Sequence, residues 1–430
     1  MNKLKLVICA TFGNCFEVYD FIIYQLLANH ISKHFFDIHF KNAFLWTQLI
    51  FILTTILSRP IGGLIFGYLA DLKGRKLSLE SSILMSGVCT GMIGLIPSYE
   101  KLGFFSTLFL IILRFLQGVS LGGEQGTSIS FLLEHSSPKA KGFLSSFCCF
   151  GQHIGILLAI TATSIYSLHI SKIDLSEQLW RVLFILSFCF GWFGYWIRKK
   201  TNETIDFLLC NYCSEEKTSL FNESKSFICN NKALFVSIFF IVSFGSFISY
   251  TVFIIGNGYL KQQTNSLAIF KHIQYIMSFL VILSIPIFGF LSDKIGRKNI
   301  ISHSILTISA LSIPFFQSLK SIPNYTTLIV AMLLAISCGA YFSVTPTIIA
   351  ESLPTKSRCI TYAIFYTIPA AIISSISPFL SNWFIKLDPI YISYVTICLA
   401  ISSIISLKSL EEPLYIYGKL SKYSYEFLKP

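Results

Sequence analysis

The sequence predicts an all-α membrane protein with twelve transmembrane helices in two pseudosymmetric six-helix bundles. Three observations predict it. Hydrophobic residues make up 53% of the 430-residue chain and charged ones only 13%, where an ordinary globular domain carries about 25% charge. Apolar runs of about 20 residues, long enough to cross a bilayer as helices, recur from end to end. A polar loop also appears twice, as GYLADLKGRK (67–76) and GFLSDKIGRK (289–298), identical at six of ten positions and 222 residues apart.

The first run, 4–28, is too long for the apolar part of a cleavable signal, carries two acids and lacks a small-x-small cleavage site, so it is read as a span. Runs 43–70 and 78–97 flank the first copy of the loop. Runs 105–133 and 142–167 flank Glu134-His-Ser-Ser-Pro138-Lys-Ala-Lys141, and 179–198 ends the first set. The longest polar interruption, 199–232, follows. The second set runs 233–258, 267–291, 300–319, 325–350, 359–384 and 389–408. Its second and third members flank the other loop copy, and its fourth and fifth flank Glu351-Ser-Leu-Pro354-Thr-Lys-Ser-Arg358. The acid and base stand seven apart both times. Two landmarks in the same order make an internal repeat. The expected organisation is a bundle over 1–198, a cytoplasmic middle loop over 199–232, a second bundle over 233–409 and a short tail over 410–430.

The net charge of +12 is unevenly placed. With the N-terminus cytoplasmic, inner segments hold 22 of the 33 Lys and Arg and outer loops hold 9. That asymmetry is the positive-inside pattern, with both termini cytoplasmic, and not a nucleic-acid footprint. Most of the twelve cysteines fall within spans, where they behave as small apolar residues. Cys210 and Cys213 form a CxxC with Cys229 nearby, but no second pair completes a metal set. No nucleotide loop, zinc motif or nucleophile elbow points to an enzyme. No cofactor is expected.

Inverted or repeated halves around a midplane site are a common transporter plan. The Gly-x-x-x-Asp-x-x-Gly-Arg-Lys loop in both halves resembles the signature loop of the major facilitator superfamily. FGNCFEVYDFIIY (12–24), SRPIGGLIFGYLADLKGRK (58–76), RFLQGVSLGGEQG (114–126), WRVLF (180–184) and ESLPTKSR (351–358) resemble its metabolite:proton symporter branch, which includes transporters of proline and betaine, 2-oxoglutarate, citrate and shikimate. The resemblance implies a proton-driven symporter of a small polar metabolite in a bacterial inner membrane. A zwitterion such as proline or betaine leads over a small carboxylate. Departures include Val18 where the branch usually has Trp, and Gln125-Gly126-Thr127 where an aromatic and two glycines usually follow. A proton-coupled exporter is disfavoured by the lack of a Gly-Pro pair in span 5. A sugar transporter is disfavoured by Thr-Asn-Glu-Thr where Pro-Glu-Ser usually follows span 6. The tail carries no heptads for a coiled coil, and loop and tail leave no room for a signalling domain. The expected partners are the substrate, the proton and the bilayer, with no nucleic acid, and the expected functional unit is a monomer.

A charge near the bilayer centre costs about 2.5–3.5 kcal/mol on the lenient scale, so it normally faces a cavity or a partner. Counted from Leu6, Glu17 lies about 17 Å deep and Asp20 about 21 Å. Asn14, Glu17, Phe21 and Tyr24 form one helical face with Asp20 at its margin, which reads as cavity lining. Arg114 in span 4 is the expected counter-charge, and the resemblance ties that arginine to proton coupling; the bland alternative is a static pair pinning spans 1 and 4. Arg59 in span 2 is suited to a substrate carboxylate, or else pairs with Glu17. Glu124 transfers protons or bonds to backbone in a tight crossing. Gly118, Gly122 and Gly126, answered by Gly151 and Gly155, are packing ridges. His153 is more often a packing residue than a titrating one.

Asp71, Arg75, Lys76 and Glu134 in the first half, and Asp293, Arg297, Lys298, Glu351 and Arg358 in the second, are expected to gate the cytoplasmic side. There each Asp would sit at a facing helix N-terminus and the bases would reach the two glutamates. Their alternative role is setting topology. The second half carries almost no charge within spans, only Lys271 at the edge of span 8. Its neutral candidates are Tyr250, Asn257, Gln274, Tyr341 and Tyr366, and Gln125 joins the substrate contacts from the first half.

Overall fold

The computed structural model describes residues 3–37, 42–169, 176–213, 220–256, 272–320 and 324–410. Twelve helices among them are long and apolar enough to cross a membrane. They are α1 (Lys5–Leu26), α2 (Ala43–Lys73), α3 (Arg75–Leu95), α4 (Phe104–Glu134), α5 (Lys141–Ser167), α6 (Leu179–Lys199), α7 (Lys232–Phe253), α8 (Ile273–Ile295), α9 (Arg297–Ser318), α10 (Tyr325–Glu351), α11 (Thr355–Leu387) and α12 (Ile390–Leu407). All twelve expected spans are present. The largest differences lie where polar ends continue an apolar helix. The loop motifs belong to helix ends, so Asp71 and Asp293 sit in the last turns of α2 and α8, and Arg75 and Arg297 open α3 and α9. The middle segment is also not plain loop, since helices cover Ile205–Cys213 and Leu220–Asn230.

The chain forms two compact units that do not follow its halves. One gathers the described residues of Met1–His135, Cys148–Phe221 and Thr355–Ala371; the other gathers those of Ser136–Phe147, Asn222–Pro354 and Ile372–Pro430. The beginning of α5 thus belongs with the second unit, and the beginning of α11 with the first.

In the first unit, a buried cluster joins Ile23 and Tyr24 of α1, and Leu27 just after it, to Ile93, Leu110, Leu113, Trp180 and Phe184. Arg181 beside that Trp donates to the carbonyls of Gly94 (2.9 Å) and Ile96 (2.5 Å), which α3 leaves unmet at its C-terminus. The glycine ridges pack differently from the expected α4–α5 pairing. A Cβ on Gly118 or Gly122 would strike Ser58 or the Arg59 backbone of α2, and one on Gly151 or Gly155 would strike Thr11 or Cys15 of α1. The small residues close α4 on α2 and α5 on α1, because every ridge faces whichever neighbour approaches it, not its neighbour in sequence.

The two loop copies share one construction. Gly74 and Gly296 have φ of 113° and 105°, a region where a side chain is strained, and their N–H groups close the preceding helices on Ala70 and Ser292. Each of α2 and α8 also carries one internal proline, Pro60 eleven residues before Asp71 and Pro286 seven before Asp293, so the two are about one turn out of register.

Candidate functional site

Within the first unit, Glu17 and Asp20 of α1, Arg114 and Glu124 of α4 and Arg198 of α6 are each at most 2% exposed. Buried charge must find partners, and those partners distinguish the five.

Asp20 accepts from Ser187 Oγ at 2.5 Å and Ser86 Oγ at 3.1 Å. Arg114 pairs with neither acid. It donates to Gln117 Oε1 and, at 3.2 Å, to the Phe21 carbonyl. Its guanidinium lies 4.3, 4.6 and 5.0 Å from the ring centroids of Tyr24, Phe21 and Phe51. This corrects the expected ion pair. Gln117, nearly one turn along the same helix, intercepts the guanidinium, and the rings hold it through their quadrupoles. Arg114 and Asp20 interact only through their fields.

Among these five groups the ion pair is Arg198 with Glu124. Arg198 also donates to the Leu79 carbonyl, and Ser82 Oγ donates to Glu124 at 2.7 Å. Gly13 makes room for it, because a Cβ there would overlap the guanidinium. Glu124 is therefore held by a cation and a hydroxyl rather than by backbone.

Glu17 and Arg59 differ from these. Glu17 Oε1 contacts Ser120 Oγ at 2.7 Å, while Oε2 is buried with no hydrogen-bond partner among the described residues. Arg59 lies 4.3 Å over the Phe21 ring, its Nε buried and likewise without a partner. Its electrostatic neighbours include the Glu17 carboxyl, the Tyr366 phenol and the Arg114 guanidinium. Tyr366 stacks on Tyr362 at 5.1 Å and is hydrogen-bonded by Gln125, and the Tyr362 hydroxyl is another buried polar group without a partner among the described residues. Both tyrosines lie in the α11 stretch that belongs to this unit. Such groups are uncommon in a folded interior and ask for an occupant.

The other predicted contacts are more saturated. The Asn14 amide donates to Ala10, Ser128 and Cys148 and accepts from Gln152, so it ties α1, α4 and α5 together. Tyr24 donates to the Thr47 carbonyl at 3.5 Å while lying under Arg114. His153 Nδ1 donates to the Cys149 carbonyl at 2.9 Å. In the second unit Tyr341 donates to the Ile241 carbonyl and is 2% exposed, whereas Tyr250 and Gln274 are half-buried. Asn257 and Lys271 lie outside the described residues, as do 214–219 of the middle segment and the tail from 411 onward.

Seven of the nine predicted gate residues form two similar clusters, one in each unit. In the first, Asp71 accepts the N–H groups of Cys359 (3.2 Å) and Ile360 (2.9 Å). Arg75 lies 3.5 Å from Asp71 and 3.2 Å from Glu134, and donates to the Thr355 carbonyl at 2.8 Å. Arg358 reaches Glu134 at 2.9 Å. In the second, Asp293 accepts the N–H groups of Gly142 and Phe143, both at 2.8 Å. Arg297 lies 2.9 Å from Asp293 and 3.0 Å from Glu351. Each Asp binds the free N–H groups that open a helix, where its charge also meets the favourable end of the dipole. Gly67 and Gly289 permit the approach: a Cβ on them would come 3.0 Å from Cys359 and 2.6 Å from Ser146. Lys76 departs from the pattern, donating to the Lys199 carbonyl at 2.9 Å and lying 3.7 Å from Glu80. Lys298 is a basic residue of α9 that is also partnered.

Sequence reading missed Arg198, Gln117, Ser120 and Glu203. Arg198 ends the apolar run 179–198, so by position alone it resembles the inner-loop charges that follow it. Glu203, in the Thr-Asn-Glu-Thr stretch, accepts from the N–H groups of Arg75 (3.2 Å) and Lys76 (3.0 Å), capping α3, and its neighbour Thr204 donates to Glu134 at 2.6 Å. An acid four residues beyond a basic helix end is the available signal.

Twelve spanning helices, repeated charge clusters and a buried site with unmet polar groups define a polytopic membrane transporter. Residues 6–228 match the family model described as sugar (and other) transporter, and 239–415 match that of the major facilitator superfamily. The chain belongs to the major facilitator superfamily, and its relatives are those of the metabolite:proton symporter branch. It is 27% identical to the alpha-ketoglutarate permease of Escherichia coli K12 over 94% of this chain and 93% of that protein. It is 28% identical to a putative proline/betaine transporter of Staphylococcus aureus (98% and 90% covered) and 26% identical to the proline/betaine transporter of Salmonella typhimurium (95% and 83%). The fold matches the solved proton:xylose symporter XylE with a TM-score of 0.76 at 15% identity, covering 95% of this chain and 96% of that one.

Proposed function

We propose that this transporter is a proton-coupled symporter, with both termini cytoplasmic in a bacterial inner membrane, for a small metabolite anchored by a carboxylate. The observation that carries the reading is Arg59, which, unlike Arg75, Arg198 and Arg358, makes no hydrogen bond or ion pair among the described residues, and whose neighbour Glu17 has a bare oxygen. A guanidinium binds carboxylates bidentately. While Glu17 is ionised, its charge offsets that of Arg59. Once Glu17 holds a proton, Arg59 is left as uncompensated positive charge and attracts the substrate carboxylate. Proton and substrate then favour each other, and linkage makes the coupling reciprocal, at about 1–3 kcal/mol for typical coupled sites. A sugar offers no anion to this arginine.

A zwitterion of the proline or glycine betaine type is the first reading of the substrate. One guanidinium answers one carboxylate, and the stacked Tyr362–Tyr366 pair offers aromatic faces of the kind that hold an ammonium group. The second reading is a dicarboxylate such as 2-oxoglutarate, favoured by the second guanidinium, Arg114, over the same Phe21 ring. Uptake of labelled betaine, proline and 2-oxoglutarate into proteoliposomes, with and without an imposed pH gradient, separates them. Uptake of the true substrate should accumulate only with the gradient, and indifference to the gradient refutes symport. Arg59→Gln should raise KM about 10- to 100-fold, the value of a charge-assisted contact of about 1.5–3 kcal/mol. An unchanged KM removes Arg59 from the binding site.

The two charge clusters are proposed as cytoplasmic gate contacts. Cys359 is 1% exposed and its N–H is held by Asp71. In a background with Cys359 as the sole cysteine, Asp71→Ala should speed its labelling by an impermeant maleimide from the cytoplasmic side several-fold. Equal labelling rates would leave these residues with topology alone.

A further inference from the structure

We propose that Ser120 is the positioning residue that reads the protonation state of Glu17 and passes it to α3. The inference rests on the reading above that Glu17 carries the coupled proton, and it adds a residue which that reading does not need.

Ser120 Oγ lies 2.7 Å from Glu17 Oε1 and 2.6 Å from the Ser82 carbonyl of α3. A hydroxyl carries one proton, while a carbonyl oxygen and an ionised carboxylate can only accept. Ser120 therefore cannot satisfy both neighbours of an ionised Glu17, because one short contact would set two acceptors against each other. The arrangement closes only when Glu17 supplies the second proton: Glu17 donates to Ser120, and Ser120 donates to the Ser82 carbonyl. The bare Glu17 Oε2 is then the carbonyl oxygen of a neutral acid, far less costly to leave unpaired than a charged one. When the proton leaves, Ser120 must turn its hydrogen to Glu17, and the Ser82 contact is lost. Ser82 also holds Glu124 through its own hydroxyl, so the change reaches the α4–α6 ion pair.

The charged groups whose fields reach Glu17 are Asp20 on α1, Arg59 on α2, Glu124 on α4 and Arg198 on α6. None of them touches Ser120 Oγ, whose two contacts are Glu17 and Ser82. Substituting Ser120 therefore changes the hydrogen-bond chain while leaving those charges in place.

The test is infrared difference spectroscopy on the purified, reconstituted protein, with transport measured alongside. A carboxylic-acid carbonyl band at neutral pH should vanish in Glu17→Gln. It should move to higher frequency in Ser120→Ala, where the acid loses its acceptor, and return in Ser120→Thr. Gradient-driven uptake in Ser120→Ala should shift its pH of half-maximal rate by about half a unit or more, about threefold in proton affinity, with Ser120→Thr restoring it. A packing role for the side chain moves neither readout. A band and a pH profile identical in the parent and Ser120→Ala overturn the inference. Gradient-driven accumulation that persists in Glu17→Gln instead overturns the coupling assignment beneath it.

Discussion

Glu17→Gln is expected to abolish accumulation driven by a pH gradient while retaining counterflow exchange of substrate. The amide has nearly the shape of the protonated acid and can still contact Ser120, so the substituted site imitates the proton-loaded state permanently. Arg59 then stays uncompensated and continues to bind the carboxylate. What disappears is the cycle of uptake and release that ties substrate movement to the proton. Each unit of pH difference is worth about 1.4 kcal/mol per proton, which is about tenfold accumulation for a one-proton symporter. The variant should fall to a ratio of about one whatever gradient is imposed, an effect large enough to read over leak. Asp20→Asn supplies the comparison. Asp20 is held by the Ser187 and Ser86 hydroxyls, not left bare. Full accumulation surviving in both variants would place the coupling proton elsewhere in the protein.

Much of this site was legible before the fold was known, and the part that was not has a common physical cause. Spans follow from local hydropathy, and the loop copies follow from repetition, so twelve helices and the positions of Asp71 and Asp293 could be read directly. That the acids of α1 face inward follows from the cost of charge in lipid. Partnership is a different kind of information. Arg114 stands at a depth where it can meet either acid, yet Gln117 and three aromatic rings take its guanidinium. Arg198 ends an apolar run and looks like a surface charge, yet a glycine nearly two hundred positions away opens the space that buries it. The proton count at Ser120 depends on a backbone carbonyl, a group every residue carries and no sequence pattern marks. Depth is a property of one helix. Pairing is a property of three at once.

The Arg198–Glu124 pair yields the largest expected effect on stability. Arg198→Met should destabilise the protein by about 3–5 kcal/mol, because it leaves the Glu124 carboxylate buried at 2% exposure with only Ser82 as a partner. Removing one member of a buried pair is costly chiefly because of the charge left behind, so neutralising that charge as well should recover most of the loss. The double variant Glu124→Gln with Arg198→Met is therefore expected to unfold, in detergent, closer to the parent than to the single variant. The comparison also separates scaffold from mechanism. Glu124 is among the charges whose field reaches Glu17, so a stable double variant lacking both charges would report how far the pair tunes coupling. Should it regain stability and also accumulate substrate with an unchanged pH dependence, the ion pair is a structural tie between α4 and α6. Should it regain stability but shift that pH dependence, the pair belongs to the proton site. A single variant as stable as the parent would mean that Arg198 does not occupy the interior in the folded protein, and the electrostatic frame around Glu17 would have to be rebuilt without it.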